Sequence, residues 1–121
     1  MAAYSATYKV VATILLLLLP INAMAHVALK NSIPEANAQL NQAPKALTLN
    51  FDKEVYLMKV TLADATGKPI VLPKLTLKLS AEQVIALPAL GAGTYLATWV
   101  SMGRDGHNMS GTLSFSVIAG Q

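Results

Sequence analysis

The sequence predicts an all-β protein, a Greek-key β-sandwich of about seven strands and of immunoglobulin-like type. Three observations favour this fold class. After residue 25, hydrophobic and polar residues alternate in short segments, Pro- and Gly-containing turns separate those segments at the intervals of a sandwich, and no segment has helical periodicity. The chain contains no Cys, so packing must hold the two sheets together without a disulfide.

The first 25 residues have the three-part layout of a secretory signal peptide. Lys9 precedes a ten-residue hydrophobic block, Val10 to Leu19, and the sequence Ala23-Met24-Ala25 matches the small residues of a cleavage site. A membrane-spanning helix needs about 20 hydrophobic residues, which is more than this block supplies. We therefore expect cleavage after residue 25, a periplasmic location and a single mature domain, residues 26–121, that begins with His26 and has no membrane span.

Alternation of residue types identifies the individual strands. Residues 46–52 place hydrophobic side chains on one face and polar side chains on the other, which predicts a strand with one solvent-exposed face. Residues 93–101 are hydrophobic on both faces, which predicts a central strand buried on both sides, with Tyr95 and Trp99 as core aromatics. The predicted strands are residues 46–52, 60–62, 75–79, 84–87, 93–101 and 113–117, with turns at 34–37, 65–69, 72–74 and 87–93.

Charge and motif content exclude several classes of function. The formal net charge is +3, and the Lys and Arg residues are scattered singly rather than clustered, so nucleic acid is not an expected partner. The sequence contains no recognisable Ser-His-Asp arrangement, phosphate-binding glycine loop or pair of catalytic carboxylates. We therefore predict that the protein is not an enzyme.

The two histidines of the chain are the residues that point to a metal site. After cleavage, His26 would carry a free α-amine beside its imidazole, and the two nitrogens can close a six-membered chelate ring around a metal ion. Asp105 and His107 are separated by one glycine in the predicted loop 102–109, which directs a carboxylate and an imidazole to the same side. Asp-Gly is also a common hairpin turn, so the metal-site interpretation depends on the conjunction of this loop with the predicted N-terminal histidine.

The proposed donors are one amine, two imidazoles and one carboxylate. This set suits tetragonal Cu(II), which stands at the top of the divalent affinity series. Zn(II) accepts the same donors in a tetrahedral array, so the donor types alone leave both metals open.

The sequence resembles the CopC family of periplasmic copper-binding proteins along essentially the whole mature chain. The resemblance implies a cupredoxin-like or immunoglobulin-like β-sandwich that binds one Cu(II) ion through His26, Asp105 and His107. The segments that carry it are His26, Ser32–Asn37, Leu47–Phe51, Val60–Asp64 with Gly67-Lys68, Leu87–Leu90, Gly93-Thr94-Tyr95 with Trp99, Asp105-Gly106-His107 and Ser110–Phe115.

The sequence departs from the family pattern in two places. Some family members have a Cu(I) site in a methionine-rich segment, but the mature chain has only Met58, Met102 and Met109, so we do not expect a separate Cu(I) site. Family members often carry a glutamate shortly after the strand that ends in Phe51. Lys occupies that position here, which leaves Asp52 or Glu54 to take its place.

The resemblance implies a protein that captures Cu(II) for copper resistance or homeostasis, and either sequesters it or transfers it to an inner-membrane copper transport protein. One alternative is a small copper-dependent oxidase with an N-terminal histidine, although such enzymes are larger and need a broad substrate surface. A second alternative is a metal-free immunoglobulin-like interaction domain, in which both histidines would be incidental. Copper binding by the purified protein would exclude the second alternative. Oxygen consumption on a glycan substrate would support the first.

Overall fold

The structure, a computed structural model, describes residues 28–119. Residues 1–27, which include the predicted signal peptide and His26, lie outside the described residues. The described part is all-β, which confirms the predicted fold class, and none of its segments forms a helix that could cross a membrane. Its strands are β1 (Leu29–Ile33), β2 (Ala38–Leu40), β3 (Ala46–Asp64), β4 (Pro69–Ile70), β5 (Leu79–Ala86), β6 (Gly93–Gly103) and β7 (Asn108–Val117).

The 19-residue strand β3 organises the fold. Its first part pairs with β1 and β5, and its second part, from Val55 to Asp64, pairs with β6. The register of the β3–β5 pair shifts between Asn50 and Val55, and the residues within that interval, 52–54, are exposed. The strand therefore belongs to two layers of a curled sheet, and its exposed middle marks the passage from one layer to the other.

The N-terminal strands divide between the two layers. Strand β1 is antiparallel to β3, whereas β2, which follows after a short turn, is parallel to β7. The strand order in the main sheet is β1-β3-β6-β7-β2, with β4 and β5 paired to β3. The two edge strands of this order, β1 and β2, are therefore neighbours in the sequence.

The core lies between the layers and consists of the inward-facing residues of β3, β5, β6 and β7. The rings of Phe51 and Trp99 meet edge to face at 5.2 Å, and the predicted core position of Tyr95 is confirmed by its 6% exposure. Trp99 also lies across Gly111 on the paired strand β7. The buried residues are Leu47, Leu49, Phe51, Val55, Leu57, Leu62, Ile85, Tyr95, Ala97, Trp99, Leu113, Phe115 and Val117.

Several strand predictions need correction. The predicted strands 46–52 and 60–62 are parts of the single strand β3. The predicted strand 75–79 is wrong except for Leu79, the first residue of β5: residues 71–78 form no ladder, since Leu72 and Leu75 pack against the core and Pro73 cannot donate a backbone hydrogen bond. The expectation that the strand at 93–101 is buried on both faces is also wrong, because Leu96 is 46% exposed.

Candidate metal site

The candidate site lies on the hairpin turn between β6 and β7. The amide of Gly106 donates to the carbonyl of Gly103 at 3.0 Å, and the amide of Gly103 donates to the carbonyl of His107 at 3.1 Å. Gly106 has a φ of +86°. These are the features of a three-residue hairpin loop, a type I turn followed by a left-handed residue. The Asp-Gly sequence at 105–106 thus forms a tight turn, and the turn brings residues 105 and 107 together.

Asp105 and His107 form a side-chain pair, as the sequence predicted from their spacing. Oδ2 of Asp105 lies 2.9 Å from Nδ1 of His107, and Oδ1 of Asp105 accepts a hydrogen bond from the His107 amide at 3.1 Å. The side-chain bond and the backbone bond from His107 hold the pKa of Asp105 below its usual value. The His107 and Asp105 side chains are 84% and 61% exposed, so a solvated ion can reach both.

Asp52 fixes the start of the described chain. Its Oδ1 accepts a hydrogen bond from the amide of Ala28 at 2.9 Å, and its own amide donates to the carbonyl of Ala28 at 3.0 Å. The predicted ligand His26 lies outside the described residues, two positions before Ala28. Asp52, one of the two residues considered as a replacement for the family glutamate, therefore holds the segment that leads to His26.

Glu54, the other candidate replacement, connects β3 to the hairpin. Its Oε1 accepts from Nη2 of Arg104 at 2.7 Å, and Arg104 immediately precedes Asp105. Nothing in the sequence signals this pairing, because the two residues are 50 positions apart. Asp52 and Glu54 are two residues apart on β3, so the beginning of the described chain and the hairpin flank the same short stretch of strand.

The methionines next to the hairpin do not face a common point. Met102 pairs with Asn108 and Met109 pairs with Ser101, and these are neighbouring pairs in one antiparallel ladder. Successive pairs present their side chains to opposite faces of the sheet. Met102 and Met109 therefore point to opposite faces of the sheet, and the predicted ligand set includes neither of them.

Residues 28–119 contain no group of three or more His, Cys, Asp or Glu side chains close enough to hold a metal ion. Asp105 and His107 supply two donors on one turn. A stable site in this position needs donors from elsewhere, and the predicted source is His26.

Comparisons with known proteins agree on one family. A family model described as the CopC domain matches residues 29–118. Protein YobA of Escherichia coli is 34% identical over 98 residues, which cover 77% of this chain and 79% of that protein. Copper resistance protein C of Escherichia coli is 30% identical over 107 residues, which cover 79% of this chain and 84% of that protein. The crystal structure of CopC from Methylosinus trichosporium OB3b has a TM-score of 0.68 at 24% identity and covers 79% of this chain and 97% of that one, a likeness that shows the fold.

Proposed function

This chain belongs to the CopC family of copper resistance proteins, and from that premise we propose that it captures one Cu(II) ion per mature chain through His26, Asp105 and His107. The observation that carries this proposal is the contact between the Asp105 carboxylate and the His107 imidazole on an exposed turn. The prediction that the protein is not an enzyme is confirmed, because CopC family members are copper-binding resistance proteins.

The separation of the two side chains suits a metal ion. Nitrogen and oxygen ligands lie roughly 2.0–2.2 Å from a divalent ion of this size, so two ligands at a right angle are about 2.9 Å apart. The Nδ1–Oδ2 distance of 2.9 Å matches this value. A Cu(II) ion that displaces the shared proton would find both donors on one turn, and each side chain would rotate until its lone pair points at the ion.

The position of the N-terminal segment supports His26 as the third ligand. Strand β1 is antiparallel to β3, and Ala28 lies opposite Asp52. Two positions after Asp52 on the same strand, Glu54 is bound to Arg104 in the hairpin. His26 precedes Ala28 by two positions, and two residues span at most about 7 Å.

The complete donor set favours copper. With His26 the site has an amine nitrogen, two imidazole nitrogens and a carboxylate oxygen, a combination suited to tetragonal Cu(II). The α-amine exists only after cleavage following residue 25, so the site would form after export. We propose accordingly that the protein is periplasmic, and that it sequesters copper or passes it to an inner-membrane copper transport protein.

The N-terminal chelate is tested with two forms of the protein. We expect the chain that begins at His26 to bind one Cu(II) ion with a nitrogen-rich, tetragonal electron paramagnetic resonance spectrum. A chain that keeps Ala25 should bind far more weakly, because the nitrogen of residue 26 is then an amide. Equal affinities of the two forms would overturn the N-terminal chelate.

The hairpin ligand is tested separately. We expect His107→Ala to weaken Cu(II) binding in a competition titration against a chelator, whereas Asn108→Ala, a change at the adjacent residue, should leave it unaltered. Unchanged affinity of His107→Ala would remove the hairpin from the site even if His26 binds. Zn(II) binding as tight as Cu(II) binding would contradict the choice of metal.

A further inference from the structure

Strand β3 has an open edge on the side away from β6. On that side β5 pairs with β3 as far as Tyr56, and β4 pairs with it from Leu62 onward. Between these points, residues 57–61 have no ladder partner on this side of β3 within the described part of the chain, although their other side pairs with β6. Five residues of strand correspond to about 17 Å of edge. This length is enough for an added strand to form several backbone hydrogen bonds.

A groove of about 430 Å³ runs along this edge. One wall is β3 from Met58 to Leu62, and the other is the chain from Pro69 to Leu75. We call residues 71–78 the strap, because they connect β4 to β5 without joining a ladder. The groove therefore lies between a strand edge and a segment outside any ladder.

The groove has an apolar floor. Leu62 is fully buried, and Leu72 and Leu75 of the strap pack against the core. Two large hydrophobic side chains here face solvent: Met58, which lines the groove, is 45% exposed, and Val71, which lies between the lining residues Ile70 and Leu72 in the chain, is 89% exposed. Exposed hydrophobic residues that cluster beside a groove are typical of interaction surfaces.

The charge of the groove has one sign. Lys59 lies on the β3 wall and Lys74 on the strap wall, and the residues that line the groove include no Asp or Glu. Both lysines are exposed, and neither takes part in an ion pair within residues 28–119. A partner with carboxylates would be attracted here, whereas a second copy of this positively charged chain would be repelled.

We propose that this groove binds an extended, acidic segment of a partner protein, which adds as a strand to β3 at residues 57–61. Alternate side chains of an added strand point to opposite faces. Its apolar side chains would cover Met58 and Leu72, and its carboxylates would reach Lys59 and Lys74. The strap cannot fill the edge in the same way, since its Pro73 lacks an amide hydrogen and its Leu72 and Leu75 pack against the core. This surface does not depend on the copper site.

The probe is a synthetic peptide of alternating Val and Glu, blocked at both ends and added to the purified, ¹⁵N-labelled protein. We expect saturable shifts of the amide signals of residues 57–61 and of Val71, Leu72, Lys74 and Leu75. The same peptide with an N-methyl group on every amide should not bind, because neither of its edges can then donate to the strand edge. Shifts confined to other residues, or equal binding of the N-methylated peptide, would overturn the proposal.

A charge exchange tests the two lysines. The double variant Lys59→Glu with Lys74→Glu changes exposed side chains only, and it should bind the Val-Glu peptide about tenfold more weakly but gain binding to a Val-Lys peptide. The control, Lys30→Glu with Lys45→Glu, makes the same change of net charge outside the groove and should bind the Val-Glu peptide as the parent does. An equal loss of Val-Glu peptide binding in both double variants would show that only the net charge of the protein matters, and it would contradict the proposal. Binding to phosphatidylglycerol vesicles that depends on Lys59 and Lys74, without binding of the peptide, would assign the surface to a membrane and overturn the proposal.

Discussion

Asp64 and Asp105 occupy different positions in two hairpin turns of the same type. The turn at 64–68 repeats the hydrogen bonds of the turn at 103–107: Gly67 donates to the carbonyl of Asp64, and Asp64 donates to the carbonyl of Lys68. Gly67 and Gly106 both have a φ of +86°. Asp64 opens its turn and accepts bonds from Thr66 and Lys68. Asp105 is the middle residue of its turn and bonds both the amide and the ring of His107, so only the turn at 103–107 pairs its carboxylate with an imidazole.

This difference predicts that the same substitution, Asp to Asn, affects Cu(II) binding at position 105 but not at position 64. We expect Asp105→Asn to lower Cu(II) affinity about 10- to 100-fold, because it removes the anionic oxygen and the strongest acceptor for the imidazole. Asp64→Asn should leave Cu(II) affinity at the parent value. A competition titration with a chelator measures both, and equal affinity of the parent and Asp105→Asn would show that the carboxylate has no part in metal binding.

The two turn glycines provide a matched comparison. An alanine at a left-handed position is strained by roughly 1–2 kcal/mol, and neither Gly67 nor Gly106 has a neighbour within 4 Å that would add a clash. We expect Gly67→Ala and Gly106→Ala to lower the free energy of unfolding by similar amounts in urea titrations. Only Gly106→Ala should also weaken Cu(II) binding, since the strain shifts Asp105 relative to His107. A loss of copper affinity in Gly67→Ala would point to a general effect of instability.

The contact between Trp99 and Gly111 predicts a large loss of stability from a single methyl group. A Cβ on residue 111 would lie 2.7 Å from Cε2 of Trp99 and closer still to Cζ2, and the indole is buried against Phe51. We expect Gly111→Ala to cost about 1–3 kcal/mol, measured by denaturant unfolding followed through Trp99 fluorescence. Gly91→Ala is the control, because nothing lies within 4 Å of its added methyl group. A stability of Gly111→Ala equal to that of the control would mean that the indole can move away at no cost.

The lowered pKa of Asp64 predicts how its contribution depends on pH. The hydrogen bond from the Thr66 side chain, with the backbone bonds from Lys68 and Thr66, holds the pKa below its usual value of 3.8. A carboxyl group whose pKa is lower in the folded state contributes stability above its unfolded-state pKa, and this contribution disappears as the pH falls through the folded-state pKa. We therefore expect Asp64→Ala to be less stable than the parent above about pH 4, with the difference shrinking below it. Urea titrations from pH 7 to pH 2 measure this, and a constant difference would contradict the role of the ionised carboxylate.

The sequence predicted the regular strands well and the irregular ones poorly. Segments 46–52, 93–101 and 113–117 lie within β3, β6 and β7, because clean alternation reflects one buried face. Strand β1 was missed, since its pattern is interrupted by a register shift between Leu29 and Asn31. Strand β2 was missed because three residues are too few to establish a period.

Spacing in the sequence predicted the local part of the candidate site but not its surroundings. Asp105 and His107 are two positions apart, so the geometry of one turn determines their contact. The Arg104–Glu54 pair and the bond from Ala28 to Asp52 join residues 50 and 24 positions apart. These contacts depend on the sheet register, which no local pattern encodes. The metal ligands themselves stay a prediction, since His26 lies outside the described residues.

A strand shared by both layers makes the domain a single cooperative unit. Separation of either layer would strip β3 of its partners on that side, and the core residues Leu49 and Leu62, which lie at opposite ends of the same strand, would lose their packing together. We therefore expect the two halves of the described chain to unfold together. Unfolding should then show one transition, with the same midpoint for every spectroscopic probe. A ligand bound beside residues 52–54 would be tied to that transition, so metal capture and global unfolding would be thermodynamically linked.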